Sequence, residues 1–425
     1  MKRKMHLFYK RTGLNAVVSL SVVILCGSQM LFARNNNIQR VKLAKDSILI
    51  KSKEKIESKS NRNVMLNASD NTSPRDINIG LPTTLGGISI LENDLPVVYY
   101  FWPDLPNRSW RQSVGLSSTG LLKMDQVAAT TGELGYAVNS YSQTGTKKFK
   151  LKANLSTDSY GLLQGDVNIS GPLTKNGWSY TAGAYLNFDP NTYDKGFTKY
   201  SDKTQIYRVG LTKFFKNNRG QINFQYKYSN SYSITNYALF EYQEGGKVKE
   251  TDFFKIGKDS YLLNDGTARF KDLKTGEFYT AKLNGTDATT TTHNFSIFGN
   301  YLLNNGWNFK FSTKLHKAKA SILSFIPTGI KTVDKDAGYT YMDGSPYSGY
   351  VGSALAQNSP RNPVTDVSAR LSINKQIGNH NLTFGTLELY HKELYTSNRS
   401  FFFQTAEDQP QHLLQAKADK YGYYH

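Results

Sequence analysis

The side chains able to do chemistry in this chain are few and scattered. Seven histidines, His6, His293, His316, His380, His391, His412 and His425, are spread over 425 residues with no metal-ligand spacing among them. No P-loop, nucleophile elbow or dinucleotide fingerprint is present, so the sequence carries no signature of an enzyme or of a bound cofactor. Asp334-Lys335-Asp336-Ala337-Gly338 starts as a calcium loop starts. Its twelfth position, however, is Ser345, where a bidentate glutamate is needed, and a solvated loop is the simpler reading. Tyr339, Tyr341, Tyr347 and Tyr350 crowd a turn-rich segment. Such rings could stack on a sugar or chelate arriving from solution, or pack against a neighbouring loop.

The elements that must position these residues follow one period. Phe149, Leu151, Ala153 and Leu155 alternate with Lys148, Lys150, Lys152 and Asn154; Ile222, Phe224, Tyr226 and Tyr228 alternate with Gln221, Asn223, Gln225 and Lys227. Trp307, Phe309, Phe311, Thr313 and Leu315 alternate with Asn308, Lys310, Ser312, Lys314 and His316, and Val367, Ala369, Leu371 and Ile373 with Asp366, Ser368, Arg370 and Ser372. Period two over such lengths predicts strands, and tilted strands of about 9–11 residues cross a bilayer. About nine are expected, at 147–156, 160–170, 177–188, 203–215, 220–230, 291–303, 306–321, 366–376 and 380–392. After a first short link at 157–159, short turns at 171–176, 216–219, 304–305 and 377–379 alternate with loops at 189–202, 231–290 and 322–365. Long loops gathered at one end are the habit of outer-membrane barrels; a soluble sandwich or solenoid has no such reason. Trp178, Phe214, Phe215 and Trp307 all sit beside short turns, where an interfacial aromatic girdle belongs.

Composition agrees. Mean hydropathy is −0.50, and no mature segment approaches the ~18 consecutive apolar residues of a membrane helix. With 28 Tyr and 23 Phe, 34 Gly and only 12 Pro, the chain favours strands over helices. Residues 1–33 read as an export signal, with a basic start (Lys2, Arg3, Lys4, Lys10, Arg11), an apolar stretch at 14–25, and Leu31-Phe32-Ala33 as the cleavage site. A lipoprotein signal on Cys26 is the rival reading, although Leu25 is bulky where a small residue should precede the cysteine. Cleavage after Ala33 leaves no cysteine, hence no disulfide framework and no thiol site. The formal charge of +19 loses five with the signal, leaving +14, and nine Lys/Arg against three acids lie in the polar stretch 34–62. That stretch reads as a flexible leader. Nucleic acid is not expected as a partner, because the chain is exported and shows no basic groove lined with stacking aromatics.

Ahead of the strands, Ile77-Asn78-Ile79-Gly80 and Ile88-Ser89-Ile90-Leu91-Glu92-Asn93-Asp94-Leu95-Pro96-Val97 form two β-branched runs around tight turns. They resemble the plug signature of TonB-dependent outer-membrane receptors, "I-x-I-R-G … V-x-I-D-G-x-P-V", through Ile77, Ile79, Gly80, Ile88, Asp94, Pro96 and Val97. Gly80 stands without its arginine, and Asn93-Asp94 stands where Asp-Gly would be. The segments 95–149, 160–180 and 184–190, with Val167-Asn168-Ile169-Ser170-Gly171-Pro172-Leu173 the most specific wording, look like the plug-to-barrel junction of such receptors from the Bacteroidetes. The resemblance implies an all-β transmembrane barrel, antiparallel, with an N-terminal plug, placed in the bacterial outer membrane. It also implies energy-coupled uptake of a scarce large solute and coupling to the TonB-ExbB-ExbD complex. Asp46-Ser47-Ile48-Leu49-Ile50-Lys51-Ser52 resembles the TonB box, the extended peptide that adds as a strand to TonB.

The expected organisation is therefore a signal at 1–33, a leader at 34–75, a shortened plug at 76–145 and a partial barrel at 146–425. About nine strands fall short of the roughly 22 of plugged outer-membrane transporters, so the chain is expected to be the N-terminal part of a receptor. A second reading stays open: an exported adhesive or structural surface β-protein without transport. Residues 76–145 separate the two, since a compact plug belongs to transport and a disordered leader to a passive surface protein.

Overall fold

The computed structural model describes residues 88–99, 103–122, 124–131, 136–242, 245–272 and 274–415. The candidate TonB box and Ile77, Ile79 and Gly80 lie outside them. A small mixed sheet comes first: β1 (Ile88–Glu92), β2 (Leu95–Pro96), β3 (Leu116–Leu121), a short helix α1 (Met124–Thr131) and β4 (Tyr136–Ser142), in the order β2-β1-β4-β3. β1 runs parallel to β4, from Ile88 opposite Tyr136 to Glu92 opposite Ser140. Asn93 and Asp94 join β1 to β2 with φ of 55° and 66°. Both central residues of this two-residue hairpin are left-handed, a conformation Asn and Asp tolerate with little strain. The turn thus needs no glycine where the family signature has one.

The rest is an antiparallel wall. Its members are β5 (Lys150–Thr157), β6 (Leu163–Pro172), β7 (Trp178–Asp189), β8 (Asp202–Phe214), β9 (Gly220–Ser233), β14 (Thr289–Leu302), β15 (Asn308–Val333), β17 (Gly349–Ile377) and β18 (His380–Glu393). Between β9 and β14 lie two small hairpins, β10 (Glu241–Tyr242) with β11 (Val248–Lys249) and β12 (Thr267–Lys271) with β13 (Phe278–Lys282). β16 (Tyr339–Tyr341), β19 (Asn398–Thr405) and β20 (His412–Gln415) complete a 12-stranded sheet whose path does not close among the described residues. The architecture is all-β, an incomplete antiparallel barrel with a plug sheet, and among the described residues no helix is long and apolar enough to cross a membrane.

All nine expected strands are present, but β15 and β17 run far beyond expectation, at 26 and 29 residues. At ~3.3 Å per residue such strands reach roughly 85–95 Å. The stretch 322–365, expected to be a loop, is therefore mostly ladder: Ile322 to Val333 pairs with Ser359 to Gly349. The alternation is hidden there because bulges at Ala320/Ile322 and Pro327/Gly329 shift the register. Arg361, at φ 44°, adds a third irregularity beside Pro360 and Pro363.

The wall is inverted relative to a soluble protein. On β8, Thr204 and Arg208 are 0% and 4% exposed while Val209 on the other face is 52% exposed; on β14, Thr292 is buried and Phe295 is 54% exposed. The buried face is a hydroxyl and amide ladder, with Thr204 to Ser231 at 2.8 Å, Thr212 to Asn223 at 2.8 Å and Ser229 to Thr292 at 2.5 Å. Conventional apolar clusters occur as well among the described residues, two of which matter here. One lies in the plug, around Val97, Val98, Trp110 and Leu116. The other lies at the loop end, where Leu262, Phe270, Leu283, Leu323, Phe325 and Phe402 make a folded cap.

At the turn end, Trp178 lies near Phe224 and under Lys213, Phe215 meets Tyr301 edge-on at 5.3 Å, and Trp307 lies near Phe384 and under Lys375. The short turns place these rings at one level. Gly306 (φ 83°) supplies the left-handed turn that returns β14 to β15.

Candidate functional site

The plug meets the buried face of the wall along a seam of charge. Residues 103–111 cross the upper part of it. Pro106 opens a 3-10 turn, Pro106–Arg108, which turns two arginines towards the wall. Arg108 donates to the carbonyls of Ser231 and Ser233, at 3.4 and 3.2 Å, and Arg111 to Asp202 at 2.6 Å and Thr204 at 3.3 Å. Burial pulls the Arg108 guanidinium down to about 10, because Asp202 and Asp104 only partly offset its desolvation. Trp110 anchors this segment from behind, fully buried, with its indole N–H on Ser140 Oγ at 2.9 Å.

Lower down, β1 ends on Glu92, whose carboxylate faces Arg208 at 3.6 Å and is hydrogen-bonded by Lys227 and, at 3.0 Å, by Ser142. Burial alone would raise this carboxyl; Lys227 and Arg208 overcome it and hold it at about 2. Lys314 donates to the carbonyls of Pro96 and Val97, fastening β2 to β15. Asp94 accepts from Asn139 at 2.7 Å and Tyr141 at 2.8 Å within the plug, and burial together with Asp94 pushes the Tyr141 phenol up. Below the seam, towards the turn end, a polar cavity of about 270 Å³ separates plug from wall, lined by Asp94, Tyr141, Asn223, Lys310, Ser312 and Arg370. Arg370 reaches over to cap α1, donating to the Thr130 carbonyl at 2.6 Å.

Of the sequence-derived plug residues, Ile88 lies in β1, Asp94 in the turn, Pro96 in β2 and Val97 in the plug core. The four loop tyrosines fare differently. Tyr339 is 1% exposed, edge-on to Phe403 at 5.3 Å and beneath Lys331, so packing occupies it fully. Tyr341 and Tyr347 meet edge-on at 5.3 Å, and the Tyr347 hydroxyl donates to the Tyr350 carbonyl. Tyr350, 46% exposed, stacks on Phe253 at 4.4 Å. Tyr341 lines a polar cavity of about 500 Å³ with Asp265, Asp343 and His412. Asp334 and Asp336 form a capped 3-10 turn closed by Gly338, and among the described residues no three His, Cys, Asp or Glu stand together to hold a metal.

The seam residues themselves escaped sequence reasoning. Lys227, Lys314, His316, Asp366 and Arg370 stand on the polar side of their strands in the sequence pattern, and a charge on that side is the available signal. Their partners lie 135 to 267 residues away in sequence, a separation that no local pattern bridges.

No protein-family model and no curated protein sequence matches the chain. Among solved structures it aligns with the siderophore receptor PiuA from Acinetobacter baumannii at 10% identity, covering 74% of this chain and 47% of that one with a TM-score of 0.41. It also aligns with the ferripyoverdine receptor of the outer membrane of Pseudomonas aeruginosa, at 12% identity, 77% and 47% coverage and a TM-score of 0.39. A third is the ferric-catecholate import receptor Fiu from E. coli K12, at 8% identity, 78% and 61% coverage and a TM-score of 0.41. The chain thus spans about half to three-fifths of the length of these structures.

Proposed function

We propose that this chain is the plug-bearing part of a TonB-dependent outer-membrane receptor, exported through a cleaved signal and active in energy-coupled uptake of a large solute. The inverted wall carries this reading: an exposed apolar face suits lipid, and a buried polar face suits a wet, plugged lumen. A passive surface strand protein has no use for a compact sheet held against that polar face by Glu92, Arg108 and Arg111. With the turn end in the periplasm, the folded cap faces outwards and the leader reaches TonB by strand addition at 46–52.

The coupling is tested by binding the purified full chain, in detergent, to the periplasmic domain of TonB. The native chain should bind, and Ile48→Pro, which removes a backbone donor needed for strand pairing, should not. Equal binding by both would reduce 46–52 to a linker. No binding by either would refute TonB coupling.

A further inference from the structure

We propose that Lys317, Lys319 and Lys392 hold the phosphate of an anionic lipid against the exposed face of the wall, towards its loop end. The proposal rests on the lipid-facing reading of that face, and the closing experiment separates its own failure from the failure of that reading.

The register brings the three lysines together. On the exposed face, Phe295, Leu315, Val367 and Tyr390 stand opposite one another across β14, β15, β17 and β18, an apolar row. The next row towards the loop end is His293, Lys317, Thr365 and Lys392, and Lys319 follows Lys317 on the same face. Lys317 and Lys319 are about 7 Å apart along β15, and Lys317 and Lys392 about 10 Å apart across two strand spacings. All three are exposed, while their neighbours in sequence face the other way: His316 is buried against Asp104 at 2.6 Å, and His391 meets Asp366 at 2.6 Å.

Their height is that of a lipid headgroup. The three lie about 9–12 residues from the strand ends at Asn308 and His380, the length over which a tilted strand crosses the hydrocarbon. Within the chain no anion answers them: Lys317, Lys319 and Lys392 have no ion-pair, hydrogen-bond or ring partner among the described residues. Glu393 and Asp366 are turned into the seam on His391. Glu388 shares the exposed face but stands about 13 Å down β18 from Lys392. Lysines at the turn end differ, since Lys213 and Lys375 lie over the rings of Trp178 and Trp307 at 5.5 and 5.7 Å. A phosphate monoester offers close to two negative charges and three acceptor oxygens, enough for three ammonium groups. The apolar row selects a lipid as its carrier, because acyl chains laid on Leu315, Val367 and Tyr390 keep the phosphate at this height.

Native mass spectrometry of the full chain in non-ionic detergent tests this, titrated with phosphatidic acid or with phosphatidylcholine of the same acyl chains. Each lysine beside an anionic lipid is worth about fivefold, so the first phosphatidic acid should bind ~100-fold more tightly than phosphatidylcholine. In Lys317→Gln/Lys319→Gln/Lys392→Gln the two lipids should bind within about threefold of each other. Lys247→Gln/Lys249→Gln/Lys282→Gln removes the same charge from exposed positions on the two small hairpins and should keep the preference. Equal binding of both lipids by the native chain, or equal loss of preference in both triple variants, would overturn the proposal and leave the lipid-facing wall standing. Loss of the preference on adding inorganic phosphate at constant ionic strength would also overturn it, by assigning the lysines to a free ion. Binding of neither lipid would refute the lipid-facing reading itself.

Discussion

Glu92→Gln is the sharpest perturbation of the plug. The native carboxyl titrates at about 2 instead of 4.5, and a difference of that size corresponds to ~3 kcal/mol of docking free energy at neutral pH. Because the docked value lies below the free one, this contribution is complete above about pH 4.5 and drains away as pH falls towards 2. The amide keeps the shape and can still meet Ser142, but it leaves Lys227 and Arg208 buried without their anion, a loss of ~3–5 kcal/mol when one partner of a buried pair is removed. The wall should stay folded, so the assay must report on the plug alone. Hydrogen exchange of the amides at 88–92 and 136–142, at pH 7 in detergent, should show protection reduced by about 100-fold or more. In the native chain this protection should fall on acidification from about 4.5 towards 2, and in Glu92→Gln that acid limb should be absent. Protection within about threefold of native at pH 7, or an acid limb that survives the substitution, would refute the assignment of Glu92 as the clamp.

Two further outcomes follow from the geometry. Phe402→Ala removes a fully buried ring, edge-on to Phe325 at 5.5 Å, and should destabilise the loop-end cap by ~3–5 kcal/mol; proteolysis should cut the cap and spare the plug, and unchanged cap resistance would contradict the packing. On intact cells, single cysteines at Asp265 and Asp343 should react with an impermeant thiol reagent while one at Asn305 should not, and equal labelling at all three would contradict the assignment of the loop end to the outside.

Much of the wall was legible because one exposed apolar face and one buried polar face impose a strict two-residue period. Phe224 and Tyr226 against Asn223 and Gln225 could be sorted into faces from sequence alone, and the register agrees. The upper hairpin was not legible. In Ile322, Leu323, Ser324, Phe325 and Ile326 the cap buries residues on both faces, so the alternation that marks a half-buried strand fades. The plug turn was legible in Asn93-Asp94, where local chemistry decides the backbone. The seam was not: Asp104 and His316, or Glu92 and Lys227, are ordinary polar residues until the fold brings them together. Tyr339 shows the converse, an aromatic in a turn-rich segment that packing with Val351 and Leu413 takes out of reach.

The central claim is that the wall turns its apolar face to lipid and its polar face to a plugged lumen. Nitroxide labels placed singly at Val209, Leu211, Phe224 and Phe295, and at Thr212, Asn223 and Asn294, in the chain reconstituted in bilayers, measure this directly. The first four should relax with oxygen, which concentrates in lipid, and resist a water-soluble nickel reagent; the last three should show no lipid contact. Labels at Val209 and Phe295 that favour the water-soluble reagent would contradict the inverted wall, and with it the receptor reading.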